Sequence, residues 1–143
     1  MNLAKALKLK NRLAQKINNL KQEIQTENSA RADDPRKIKV EDLMNELEET
    51  IEIFIKLKLS IFVASTPMRE NILKLGELKS KILFLKGIST KEGKINDYGD
   101  NDIEYSVIFD KIYIKIKINA CETEIDSLQD ELDKFNHITE IEI

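Results

Sequence analysis

Apolar side chains recur every three to four residues along this chain, over stretches that hold almost nothing able to stop a helix. Stepping from Leu13 by four and three residues gives Leu13, Ile17, Leu20 and Ile24, and stepping back gives Lys10, Ala6 and Leu3. Six of those seven positions are apolar. Residues so spaced share one side of a helix and form a narrow stripe that must be covered. The 143 residues include only four glycines and two prolines, and 34% of them are charged. Few breakers and many Lys, Glu, Leu and Ile residues predict long uninterrupted helices rather than a sheet. The length suits one domain, so the expectation is a single helical domain over 1–143.

Four helical segments are predicted. The first runs from about Asn2 to Thr26, with Asn2 able to cap its start. Residues 27–39 hold Asn28, Ser29, Asp33, Asp34 and Pro35, a connection long enough to return the chain antiparallel. The second runs from about Val40 to Ala64. Its apolar positions are Val40, Leu43, Met44, Leu47, Ile51, Phe54, Ile55, Leu57, Ile61 and Phe62. They form a face wide enough to touch neighbours on two sides. Acids crowd its first half, and Lys56 and Lys58 fall in the second, which suits the helix dipole. Thr66 as N-cap and Pro67 at the first helical position restart the chain. The third helix then runs to about Lys86, where Gly87 can close it. Gly76 inside it is read as a mark of close helix–helix approach.

Residues 88–102 read as the clearest loop. The last segment starts ambiguously. Ile112, Ile114, Ile116 and Ile118 alternate with polar residues, as a strand would. Yet Ile114, Ile118, Cys121, Ile125, Leu128, Leu132 and Phe135 also follow unbroken helical spacing. The preferred reading is a helix from about Phe109 to Asn136, with a short extended piece over 103–107. A strand over 103–118 stands as the rival. The fold class expected is all-α: a four-helix bundle of long antiparallel helical hairpins with coiled-coil-like seams, two of the helices being long.

The formal net charge is −3, from 23 basic and 26 acidic residues with interleaved signs. That argues against a nucleic-acid-binding arm. Cys121 is the only cysteine, which excludes an intrachain disulfide and suits a reducing compartment. No apolar run reaches the ~20 residues of a membrane-spanning helix. No signal peptide is read, and the expected location is cytoplasmic.

Candidate chemistry is sparse. His137, the only histidine, falls near a C-terminus expected to fray, where a surface or end-cap role outweighs catalysis. Cys121 falls on the apolar spacing of the last segment beside Glu122 and Glu124, which favours a small core side chain over a reactive thiol. One His and one Cys cannot complete a zinc site. Glu46, Glu48, Glu49 and Glu52 lack the Glu-x-x-His pairs of a di-metal bundle and read as a solvated face. The stretch from Asp97 to Asp102 lacks the ligand spacing of a calcium loop. Lys5, Lys8, Arg12 and Lys16 could face an anionic bilayer or phosphates, but pairing with the acidic second helix is preferred. No phosphate-cradling glycine loop or nucleophile elbow is present. No catalytic, cofactor-binding or metal residue is therefore assigned, and no enzyme is expected.

Scattered features resemble a small uncharacterised bacterial helical family often labelled septicolysin-like. Leu3-Ala4-x-Ala6-Leu7 is similar to that family's start. The loop from Asn28 to Pro35 and the following Leu43-Met44-x-Glu46-Leu47 resemble its first turn and second helix. Glu70-Asn71-Ile72 resembles the start of its third, and a closing helix ending at Asn136-His137 matches in length and place. An Asn/Thr-rich turn before the third helix is replaced here by the shorter Val63 to Thr66. An Arg-Asp pair is missing where Gly76 and Glu77 stand, so nothing those polar groups do carries over. The resemblance implies a helical fold and oligomers, and the label hints at a cytolysin. The function expected from the residues is a self-associating structural or protein-interaction module, a homo-oligomer through its helix seams. The alternative is a membrane-active, septicolysin-like protein.

Overall fold

The computed structural model describes residues 1–96 and 103–142. It is mostly helical. The helices are α1 (Leu3–Glu27), α2 (Val40–Ala64), α3 (Arg69–Lys86) and α4 (Lys111–Ile138), with a 3-10 turn at Thr66–Met68. Two short strands, β1 (Gly93–Ile95) and β2 (Ile103–Tyr105), lie between α3 and α4. The expected extended piece near 103–107 is therefore present. Its partner β1, inside the predicted loop, was not foreseen. The strands pair antiparallel with Gly93 opposite Tyr105 and Ile95 opposite Ile103. Gly93 has a φ of +81°, a conformation that glycine adopts without steric cost. Residues 111–118 are helical, so the strand reading of that stretch is wrong; α4 starts two residues later than expected and ends two later.

Several helix ends have an identifiable cause. The Asn2 side chain accepts a hydrogen bond from the Lys5 backbone N–H at 2.9 Å, as a cap should. At the other end of α1 no basic residue stands in the last turn. Arg36 reaches back from the connection instead and donates to the carbonyls of Glu27 and Asn28, a cationic cap on the negative end of the helix. Glu41 and Asp42 occupy the first turn of α2. Lys56 and Lys58 stand too far from its last turn to answer its dipole, which acts over about one turn. Thr66 is not the N-cap of α3: its hydroxyl donates back to the Phe62 carbonyl at 3.2 Å and so closes α2. Met68 holds the cap position of α3, and Gly87 closes that helix as expected. Asp110 caps α4, its carboxylate accepting from the Tyr113 backbone N–H at 2.8 Å.

Contacts gather the chain into two compact units, Met1–Pro67 with Asp133–Ile143, and Met68–Leu132. In the first, Leu3 and Ala6 near the start of α1 join Leu57 and Ile61 near the end of α2. Ile17 and Leu20 near the end of α1 join Leu47 near the start of α2. The two helices therefore run in opposite directions. On α1 the covered positions are those the spacing of the sequence marks. On α2 they are Leu43, Leu47, Thr50, Ile51, Phe54, Leu57, Ile61 and Ala64. Thr50 was missed because it is polar. It is buried, and its hydroxyl is satisfied inside its own helix by the Glu46 carbonyl at 2.7 Å.

The C-terminal stretch is tied down rather than frayed. Leu3 N–H donates to the Thr139 carbonyl at 2.8 Å, and Ile141 N–H to the Met1 carbonyl at 3.0 Å. Ile141 is buried against Leu3, Ala6, Leu57 and Ile61. In the second unit Leu85, Ile114 and Cys121 form a smaller core, flanked by Leu78, Ile82, Ile88 and Ile118. Asn71 donates to Glu131 at 2.9 Å across the same pair of helices. Gly76 marks no close approach: a Cβ there would meet nothing within 4 Å.

Two stability tests follow. Ile141→Ala should lower the unfolding free energy by about 2–4 kcal/mol in chemical denaturation. The same change at exposed Ile138 should stay within about 0.5 kcal/mol. Gly76→Ala should raise stability by about 0.5–1 kcal/mol, seen as a higher Tm.

Candidate functional site

Among the described residues, those that could carry chemistry are dispersed. His137 is exposed in the last turn of α4, and its backbone carbonyl accepts from the Asn2 side chain at 3.2 Å. Cys121 is buried within the core of the second unit. Glu46 pairs with Lys16 at 3.0 Å, which joins the basic α1 to the acidic α2 as the charges of the sequence anticipate. Both partners are about half exposed, so the pair contributes little more than register. Lys5, Lys8 and Arg12 lie at the edge of a shallow depression with Met1 and Leu9. The acidic stretch from Asp97 to Asp102 lies outside the described residues. Among the described residues, no three His, Cys, Asp or Glu side chains converge as a metal-holding group.

Two depressions are broad and open. One of about 700 Å³ lies beside β1 and the start of α4, lined by Thr90, Lys91, Glu92, Ile95, Asp110, Lys111 and Ile112. Asp110 in its lining is engaged in capping α4. Another, at the start of α2, is lined in part by Arg36, Lys37, Lys39 and Met44, and Arg36 is held by the α1 carbonyls.

The prominent surface feature is apolar. The wide face of α2 was expected to meet neighbours on two sides, yet only one side is covered. Met44 (41% exposed), Ile55 (59%), Leu59 (62%) and Phe62 (57%) lie open to solvent while Leu57 is wholly buried. At 100° per residue, Met44, Ile55 and Phe62 lie within about 20° of one another around the helix. They form a stripe roughly a third of a turn away from the side that meets α1. In the second unit, Leu83 and Phe84 on α3 and Ile112 and Ile116 on α4 are exposed as well. Isolated exposed leucines need no explanation, but stripes at helical spacing mark contact surfaces.

No family model, curated protein or solved structure matches this chain. Among the described residues no helix is long and apolar enough to cross a membrane. The candidate site is the exposed stripe of α2. The sequence displays its residues; which of the two apolar sides stays open depends on the choice of partner helix. Because Leu57 packs the core and Ile55 does not, Leu57→Ala should cost about 2–5 kcal/mol in denaturant unfolding. Ile55→Ser should cost under about 0.5 kcal/mol.

Proposed function

We propose that this protein is a self-associating helical module whose work is protein–protein contact, and that it is not an enzyme. The observation that carries the reading is the open stripe of α2, apolar at helical spacing and facing solvent. Each such side chain fully buried in an interface would contribute about 1.5–3 kcal/mol before the entropy of association is subtracted. Covering it with further copies yields a homo-oligomer. In that assembly the helices would form a four-helix bundle of antiparallel hairpins with coiled-coil-like seams, each copy extending the packing of the next. A reducing, cytoplasmic setting goes with the single buried thiol. Interleaved charge gives no support to a nucleic-acid partner.

Size-exclusion chromatography with light scattering on the full chain tests this. The expected mass is a multiple of the 16.5 kDa protomer. Ile55→Asp with Leu59→Asp should return it to a single protomer with helical circular dichroism intact. A wild type that stays monomeric at high micromolar concentration overturns the reading.

The septicolysin-like resemblance supplies a second reading, contact with membranes. It draws on the start of α4 and the residues before it: Ile108 is 92% exposed, and Ile112 and Ile116 are exposed beside Lys111, Lys115 and Lys117. Apolar and basic groups so mixed suit an anionic bilayer surface. Phosphatidylserine vesicles should then carry the wild type in flotation and lose it after Lys111→Glu, Lys115→Glu and Lys117→Glu together. Absence of both flotation and dye leakage removes this second reading.

A further inference from the structure

The open stripe of α2 contains one charge of each sign. Followed at alternating steps of four and three residues, it reads Met44, Glu48, Ile51, Ile55, Lys58, Phe62. Ile51 is half-buried at the edge of the stripe, where it packs against the cluster of Ile17, Leu20 and Leu47; Met44, Glu48, Ile55, Lys58 and Phe62 are exposed. A charge on an otherwise apolar stripe is unfavourable when covered unless it meets its opposite. On helix seams, such residues fix register and partner.

The order of these residues is symmetric about position 53. Ile51 and Ile55 stand two residues either side of it, Glu48 and Lys58 five, and Met44 and Phe62 nine. A second α2 laid antiparallel, with its residue 53 opposite this one, sets apolar groups against apolar groups. It also sets Glu48 against Lys58 of the second copy, and Lys58 against its Glu48. A parallel α2 would oppose Glu48 to Glu48 and Lys58 to Lys58, two like-charge contacts. Two-fold pairing closes upon itself and leaves no further sticky face at that surface. The Lys58 ammonium rests 5.0 Å from the Phe54 ring, a contact weaker than a covered ion pair and readily exchanged for one.

We propose that α2 pairs antiparallel with α2 of a second copy, centred on position 53 and held in register by two reciprocal Glu48–Lys58 ion pairs. The proposal rests on the self-association reading and gives it a partner, a direction and a register.

Sedimentation equilibrium of the full-length protein at low salt tests it with three variants: Glu48→Lys, Lys58→Glu and the two combined. Each single change replaces two attractive contacts by two repulsive ones and should weaken self-association about tenfold or more. The combined variant exchanges the charges and should recover most of the wild-type affinity. Unchanged helical circular dichroism separates this loss from misfolding, since both positions are exposed. Wild-type protein that associates, with single variants equally tight or a combined variant that fails to recover, overturns the antiparallel register and leaves self-association standing. A monomeric wild type overturns both.

Discussion

The stripe buried between α1 and α2 is the interaction on which the first unit depends. Leu3, Ala6, Ile17 and Leu20 from one helix close on Leu47, Leu57 and Ile61 from the other. The spacing of those residues holds the contact on one line along both helices, so 25-residue helices stay together with few fully buried side chains. Thr50 sits on the same line between the two apolar clusters. It is tolerated because its hydroxyl is bonded within its own helix and asks nothing of α1. The ends of the chain are added to this stripe: residues 139–141 pair with residues 1–3, and Ile141 completes the cluster around Leu57.

A core built mainly between two helices has a geometric consequence. One neighbouring helix covers roughly a third of a helix's circumference. The apolar residues of α2 span more than that, so a single partner leaves a second stripe in water. The second unit carries the same imbalance on a smaller core, with Leu83, Phe84, Ile112 and Ile116 outside it. Soluble surfaces tolerate scattered apolar residues, but continuous stripes favour association. Among the described residues no three His, Cys, Asp or Glu side chains converge: His137 is exposed in the last turn of α4, Cys121 is buried in the second unit, and Glu46 pairs with Lys16.

Local signals were legible where they are local in origin. Asn2 caps α1, Gly87 ends α3, and α2 keeps the bounds of its apolar pattern. Signals that need a distant partner were not. Thr66 has the chemistry of an N-cap and acts on the preceding helix instead, its hydroxyl donating to the Phe62 carbonyl. Arg36 gives no sign in the sequence of reaching the end of α1. The strand β1 became visible only through its pairing with β2. The candidate site was half legible: the excess of apolar residues on α2 can be counted, but not the side left open.

The sequence by itself determined the helices and their spacing of apolar residues. These follow from periodicity and composition, which act within a few residues. Only the tertiary structure decided which stripe of α2 meets α1, that the C-terminal residues lock onto the start of α1, and that Gly76 faces open space. Those outcomes depend on which surfaces come within van der Waals reach, and no short-range pattern encodes that.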